Sequence, residues 1–272
     1  MPQPTFHTSD GCPIHYRLRG DGEARIVLIH SLALDASLWD PAADILAREA
    51  RVLTYDCRGH GRSGRPAGPF TCELFARDLA ELLDHLGWPE AAVAGCSLGG
   101  CVAQAFAGRF PGRASALGLI DTTAWYGEDA PAAWEQRAAA ARAKGFAGMI
   151  DFQVTRWFGE EFRAREPEAV ARISEVFLKN GLESYAASCQ MLGEADLRPY
   201  LASFRMPVSV IVGEEDYATP PAMARQLQDC IAGATLTVIP GARHLTPLEC
   251  PERIAAELAA LLRGGRAEGR SV

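Results

Sequence analysis

The sequence predicts a doubly wound α/β fold: a mostly parallel eight-stranded sheet with helices on both faces and a helical cap. Three observations predict it. Short apolar runs such as Ile26-Val27-Leu28-Ile29 alternate with amphipathic helical stretches in two separate parts of the chain, and uninterrupted apolar runs suit strands covered on both faces. One such run, Ala91-Ala92-Val93-Ala94-Gly95-Cys96, leads through Ser97-Leu98-Gly99-Gly100 into a helical face of Val102, Ala103, Ala105 and Phe106. That is the strand–turn–helix setting of a G-x-S-x-G nucleophile elbow. Between residues 122 and 206 the rhythm breaks into helical patterns and turns without a strand, and so long a connection needs structure of its own.

Taken in order, the chain opens with a hairpin, because the stretches 4–8 and 12–19 flank the turn signal Ser9-Asp10-Gly11. Gly20-Asp21-Gly22 turns it into a strand over 25–30, a loop over 30–36 and a helix over 38–50. A strand over 51–56, a glycine- and proline-rich loop over 58–69 and an amphipathic helix over 71–86 precede the elbow, and a strand over 115–121 follows it. The helical stretch holds Trp125, Trp134 and Trp157 with Phe146, Phe152, Phe158 and Phe162. It reads as a cap over the sheet, against the alternative of a solvent-facing insertion with its own small core. The sheet resumes with a strand over 208–213, a helix over 220–230 and a strand over 235–240. A final helix over 251–262 carries proline in its first turn and a face of Ile254, Leu258, Leu261 and Leu262. The expected organisation is one core, residues 1–121 and 207–272, with 122–206 inserted as the cap; the polar tail after 262 is expected to fray.

Composition narrows the function. With 272 residues, 48% of them hydrophobic, the chain can bury a full core. A net charge of −7 argues against nucleic acid and anionic membranes as partners; the expected partner is a small-molecule substrate. The eight cysteines include no C-x-x-C pair and the N-terminus lacks an apolar signal core, so a reducing cytoplasm is expected. Residues 91–108 carry no charge but contain four glycines, a serine and a glutamine; the elbow accounts for them better than a membrane span.

A serine hydroxyl needs a base to take its proton and a third group to orient that base. In a fold with this elbow the chain order is serine, acid, histidine. Downstream of Ser97 the only histidine is His244, which makes it the general base. Asp216, in Val212-Gly213-Glu214-Glu215-Asp216 at a strand end, is the first choice of acid, with Asp121 and Glu215 as rivals. The oxyanion hole calls for backbone N–H groups from Leu98 and from the loop His30-Ser31-Leu32, where Leu32 is preferred and Ser31 is the alternative. Gly59-His60-Gly61-Arg62-Ser63-Gly64 matches G-x-G-x-x-G, yet Arg65-Pro66-Ala67-Gly68-Pro69 follows where a dinucleotide site needs a helix. No P-loop or H-E-x-x-H pattern occurs; no cofactor and no metal are expected.

These pieces resemble the α/β-hydrolase superfamily: His30-Ser31-Leu32, Asp56-Cys57-Arg58-Gly59-His60-Gly61-Arg62-Ser63, Gly95-Cys96-Ser97-Leu98-Gly99-Gly100, Gly213-Glu214-Glu215-Asp216 and His244. Within it the chain is similar to the 3-oxoadipate enol-lactonases of aromatic-acid breakdown. That likeness lies in Ser31-Leu32-Ala33-Leu34-Asp35 running on to Leu38-Trp39-Asp40, in Tyr55-Asp56-Cys57-Arg58, in Arg156-Trp157-Phe158 and in Ala218-Thr219-Pro220-Pro221. The chain departs from the pattern at Asp121-Thr122-Thr123-Ala124, where asparagine is expected first, at His244-Leu245-Thr246-Pro247, and at Arg243. The resemblance implies the α/β-hydrolase fold and attack by Ser97 on a lactone carbonyl, with an enolate expelled and an acyl-enzyme cleared by water. It also implies a cation for the substrate's free carboxylate, for which Arg156 is the candidate with Trp134 and Trp157 as apolar walls; the plainer alternative is an exposed arginine and two core tryptophans. A general carboxylesterase, a C–C hydrolase and a hydrolase-fold receptor with little turnover are the competing functions. Epoxide hydrolases and dehalogenases of this fold carry an aspartate where Ser97 stands.

Overall fold

The computed structural model describes residues 4–268. The hairpin pairs β1 (Thr5–His7) with β2 (Pro13–Arg19), and Gly11 takes φ +83° in the turn between them. Next come β3 (Ala24–Ile29), a 3₁₀ turn over Ala36–Trp39, α1 (Asp40–Leu46) and β4 (Ala50–Tyr55). The helix expected over 38–50 is therefore shorter and split. Arg48 and Glu49 turn back onto the carbonyls of Ile45 and Leu46, so that Ala50 can open β4 opposite Ala24. Gly20 and Gly22 pass so close to the backbone of 47–50 that neither has room for a Cβ, and a longer helix would not fit that crossing.

The loop over 58–69 has no regular structure. Arg58 is buried in it between Asp78 (Nε to Oδ2, 2.6 Å) and Asp10 (Nη1 to Oδ2, 3.0 Å). Gly61, at φ +50°, lies where a Cβ would strike the Asp56 carboxylate, whose Oδ2 accepts from Arg62 N. The glycines of this G-x-G-x-x-G serve a tight loop around Asp56, and no helix opens after them. Thr71 caps α2 (Cys72–His85) by accepting from Leu74 N at 3.0 Å. Then follow β5 (Ala91–Cys96), α3 (Leu98–Arg109) and β6 (Ala114–Ile120).

Between β6 and β7 the chain is helical: α4 (Ala130–Lys144), α5 (Ile150–Trp157), α6 (Glu160–Arg165), α7 (Pro167–Leu178), α8 (Leu182–Glu194) and α9 (Arg198–Leu201). Trp157, Phe146 and Tyr185 meet Phe177 edge-on, with centroids 5.1 to 6.4 Å apart, and this group is continuous with the core of the sheet. The chain ends with β7 (Val208–Gly213), α10 (Pro221–Cys230), β8 (Thr235–Ile239), α11 (Thr246–Glu249) and α12 (Pro251–Glu268). The last helix runs six residues past the expected end at 262; the rest of the tail, 269–272, lies outside the described residues.

The strand order is β1-β2-β4-β3-β5-β6-β7-β8, antiparallel at β1–β2 and β2–β4 and parallel from β4 onward. Both neighbours of β5 run parallel to it, β3 on one side and β6 on the other, and all six of its residues are buried. Helix α2 packs on α3 and α1 on α12, covering the sheet from both sides. The C-terminal ends of β3, β5, β6, β7 and β8 thus share one rim, where crossover loops collect in open parallel sheets. No helix of the described residues is long and apolar enough to cross a membrane.

The eight cysteines are free, six of them buried, with Cys250 half-buried and Cys230 exposed. Burial raises the thiol pKa of Cys57, Cys72, Cys96 and Cys101, and a raised pKa leaves little reactive thiolate. An aromatic disulfide reagent at mildly alkaline pH should therefore meet one fast thiol, Cys230, and react with all eight only after denaturation. Cys230→Ser should abolish the fast phase; a fast phase that survives it would mean a buried thiol opens to solvent.

Candidate active site

The elbow is the turn between β5 and α3. Ser97 sits at φ 55°, ψ −116°, a conformation costing a non-glycine residue about 1–3 kcal/mol. Neighbours on every side hold it there. Its N–H donates to the Ile120 carbonyl (2.9 Å), and its carbonyl accepts from Gly100 N (2.9 Å) and Thr122 Oγ1 (2.7 Å). A Cβ on Gly95 would strike the Gly99 backbone, one on Gly99 the Ile29 carbonyl, and one on Gly100 the Thr122 side chain. The motif's glycines are thus fixed by close backbone approach.

Three residues distant in sequence meet at this turn. Ser97 Oγ lies 3.0 Å from His244 Nε2, and His244 Nδ1 lies 2.8 Å from Asp216 Oδ2. All three are buried. Asp216 Oδ1 accepts from Ala218 N (2.7 Å) and Thr219 N (3.0 Å), and Oδ2 accepts from Thr219 Oγ1 (2.8 Å). Burial alone would raise the Asp216 pKa, but the charge and hydrogen bond of His244 and the donors of Thr219 outweigh it and hold the carboxyl below its ordinary value. An ionised Asp216 accepts a hydrogen bond from Nδ1–H and so keeps the proton on that nitrogen, which leaves Nε2 as the acceptor facing Ser97.

The rival acids have other partners. Asp121, itself at φ 46°, accepts from Gly213 N (3.1 Å) through Oδ1 and from Thr246 N (2.9 Å) and Thr246 Oγ1 (2.7 Å) through Oδ2. It thereby ties the ends of β6 and β7 to the start of α11. Burial and the neighbouring Asp216 charge push its pKa well up. Glu215 is exposed and pairs with Arg243 at 3.3 Å.

On the other side of Ser97, the ring of His30 fixes the loop after β3. Its Nδ1 donates to the Ser31 carbonyl (2.8 Å) and its Nε2 accepts from Cys57 N (2.9 Å). The Ser31 carbonyl also accepts from Leu34 N (3.2 Å), so it is pinned twice. Among the described residues no acceptor takes the N–H of Leu32 or that of Leu98, the first residue of α3. Free backbone donors beside a nucleophile, one at a helix N-terminus, are what a developing oxyanion needs.

Above the serine opens a cavity of about 550 Å³ whose wall includes Ser31, Leu32, Ser97 and His244. Trp134, Arg156 and Trp157 line it from α4 and α5. Trp157 is buried against Phe177, whereas Trp134 is half-buried and meets Tyr126 edge-on at 5.2 Å. Arg156 is half-buried and has no hydrogen-bond or ion-pair partner for its guanidinium among the described residues. Burial, and next the charge of Arg137, lower its pKa. Arg137 lines the same cavity; its Nε donates to Tyr185 Oη (2.8 Å), its Nη2 to Gln153 Oε1 (3.1 Å), and its guanidinium lies 5.2 Å from the Trp134 ring centre.

The match to known proteins follows this geometry. The model of the α/β-hydrolase fold family matches residues 24–251. The chain belongs to the α/β-hydrolase family. A 3-oxoadipate enol-lactonase of Acinetobacter baylyi is 33% identical over 255 residues, 92% of this chain and 94% of the relative. The solved enol-lactonase of Burkholderia xenovorans LB400 superposes with a TM-score of 0.91 at 36% identity, covering 96% of this chain and all of that one. A thermophilic esterase of Thermogutta terrifontis, solved with malate bound, has a TM-score of 0.90 at 29% identity, with 97% and 99% covered. With these relatives, this α/β hydrolase is a hydrolase of ester-type bonds.

Two roles in the hydrolase's site cannot be read from the motifs. Arg137 stands three residues after Trp134 on α4, a spacing that puts both on one helix face, but nothing in the sequence says which face meets the cavity. Thr219, in the Ala218-Thr219-Pro220-Pro221 stretch, completes the set of donors around Asp216, a role that only the folded loop reveals. Asp121→Asn should destabilise the fold by about 1–3 kcal/mol for the donors left short of an acceptor, seen as a lower melting temperature, with kcat near wild type. Asp216→Asn should cost on the order of 10⁴ in kcat, since the histidine then favours the wrong tautomer; the reverse pattern would make Asp121 the acid. Because the folded Asp216 carboxyl lies below its ordinary value, its contribution to stability is present above about pH 4 and is lost as pH falls through the folded pKa. The stability gap between wild type and Asp216→Asn should therefore narrow in acid; a gap that widens there would reverse the sign.

Proposed function

We propose that the protein hydrolyses a small enol-lactone bearing a carboxylate, through an acyl-enzyme on Ser97. The observation that carries this is Arg156, a half-buried cation without a carboxylate partner among the described residues, on the wall of the cavity that holds Ser97 and His244. Burying a guanidinium without an anion is unfavourable, and a substrate carboxylate supplies one. Arg137 strengthens the case, because its own partners are the neutral Tyr185 and Gln153. The enol-lactonase relatives and the malate bound to the esterase relative agree with an anionic substrate.

In this reaction the helical segment 122–206 acts as a cap over a core of 1–121 and 207–272, and Trp134 and Trp157 flank the lactone ring. His244 Nε2 takes the Ser97 proton as Oγ attacks the lactone carbonyl. Leu32 and Leu98 N–H donate to the oxyanion, each contributing roughly 3–4 kcal/mol of transition-state stabilisation. Collapse breaks the ring C–O bond, and the enolate takes the proton held by His244 and tautomerises to a ketone that stays on the acyl chain. Water then gives a proton to His244 and attacks the ester carbonyl, Ser97 leaves with that proton, and a second carboxylate is released. The free thiols support a reducing compartment, and we place the enzyme in the cytoplasm.

Ser97→Ala should reduce turnover on the order of a millionfold and abolish the chromophore burst from p-nitrophenyl acetate; slow release untouched by the substitution would instead indicate a receptor. Arg156→Ala should raise KM for an enol-lactone acid at least about tenfold, as loss of a charge-assisted bond implies, and leave KM for its neutral carboxamide nearly constant. Equal changes on both substrates would remove Arg156 from anion binding and favour a general carboxylesterase.

A further inference from the structure

Arg243 stands next to His244, yet its side chain takes no part in the Ser97–His244–Asp216 chain. Its guanidinium turns to the far end of α5 instead. Nη1 donates to the carbonyls of Thr155 (2.5 Å) and Phe158 (3.3 Å), Nε donates to Glu215 Oε2 (3.3 Å), and the group lies 5.0 Å from the Tyr217 ring centre. The residues around it reach for the same stretch. Leu245 N donates to the Trp157 carbonyl (3.2 Å), while Glu249 accepts from Gly159 N (2.9 Å) on one oxygen and from Arg243 N (2.8 Å) on the other.

The last carbonyls of a helix lack partners within it, and a cation there also meets the negative end of the helix dipole. In α5 the Val154 carbonyl accepts from Phe158 N, while those of Thr155 and Trp157 are answered from outside, by Arg243 and Leu245. Residues 155–159 are thereby bonded to residues 243–249, on both sides of His244. Arg243 joins three segments: its backbone belongs to the loop carrying His244, and its side chain bonds the end of α5 and Glu215 in the loop carrying Asp216. Its side chain is only 16% exposed, laid against α5 although Thr155 and Glu215 themselves face solvent. Helix α5 is also the element that presents Gln153, Arg156 and Trp157 to the cavity.

We infer that Arg243 is a positioning residue that fixes the register of Arg156 and Trp157 against His244 and so sets selectivity for anionic substrates. The inference rests on Arg156 as the anion ligand. Without the clamp, α5 keeps its helix but gains freedom at its C-terminal end, and Arg156 spends less time where a substrate carboxylate needs it. The Asp216 carboxylate bonds His244 directly and is oriented by Ala218 and Thr219, none of which involves the Arg243 side chain, so chemistry on a neutral substrate does not depend on the clamp.

The test compares wild type, Arg243→Ala and Arg243→Lys on an enol-lactone acid and its neutral carboxamide, together with amide hydrogen exchange. Arg243→Ala should raise KM for the acid about five- to tenfold, with kcat within about threefold and KM for the carboxamide within about twofold, the scale of one lost charge-assisted contact. Exchange should accelerate over residues 154–162 and stay at wild-type rates in β5 and α3. Arg243→Lys, which keeps the charge but reaches fewer carbonyls, should fall between the two. Exchange over 154–162 that is unchanged in Arg243→Ala, or KM rising equally for both substrates, would overturn the inference. Failure of the underlying reading shows elsewhere, as an Arg156→Ala variant with a wild-type ratio of the two KM values.

Discussion

The backbone of one residue constrains the rest of the molecule. Ser97 holds a positive φ only because its surroundings leave it no alternative. The strand before it is buried along its whole length, the helix after it begins at once with Leu98-Gly99-Gly100, and its carbonyl is pinned by Thr122 from the end of β6. The glycines on either side let β3, β5 and α3 come within backbone contact. Any loosening of this packing would let the turn relax and take the hydroxyl away from His244. The parallel sheet therefore does more than carry the loops, since its central strand supplies the rigidity that keeps a strained residue strained.

The acidic side chains divide their work by environment. Asp121 and Asp216 are both buried at neighbouring strand ends, close enough for the charge of one to act on the other. Asp216 is offered His244 and the donors of the 218–219 turn, and its pKa is lowered despite burial. Asp121 feels burial and the Asp216 charge more strongly than its own donors, and its pKa goes up. Two like charges sharing a small dry volume are disfavoured, so the anion settles where the imidazole is. Asp121 keeps a different task, that of joining β7 and the Thr246 turn, which holds the loop of His244 in place.

Most of the sheet was legible in the sequence because buried parallel strands are short apolar runs bounded by turn residues. The elbow was legible because close backbone approach demands glycine at fixed spacing, and His244 because no other histidine follows Ser97. Helix ends were less so. The stretch 38–50 has helical composition to its last residue, but the crossing of Gly20 and Gly22 over 47–50 ends the helix at Leu46. Nothing local marks α11, whose four residues include Pro247 and owe their turn to Asp121, more than a hundred positions upstream. Arg137 lies in a helical stretch where an arginine is ordinary, and Arg243 stands out in the sequence only as a departure from the family's pattern, with no role attached to it. What sets them apart is the company they keep after folding: neutral partners around the first, and carbonyls of a distant helix around the second.

The charge of the whole molecule bears on the proposed reaction. Acidic residues outnumber basic ones by 34 to 27, and a negative surface slows the approach of anions. The cavity opposes that field locally, with Arg137, Arg156 and Lys144 on its wall against Asp129. The two arginines repel one another, a repulsion that the carboxylate of the proposed substrate would relieve. In the proposed reaction hydrolysis would create a second carboxylate at Ser97, whose hydroxyl is linked through His244 to the carboxylate of Asp216. In a lactone that carboxylate is masked as an ester, and the charge appears only once the acyl-enzyme is cleared. Binding of the proposed substrate and departure of its product would thus draw on different parts of one charge arrangement, cations on α4 and α5 and carboxylates at the ends of the strands.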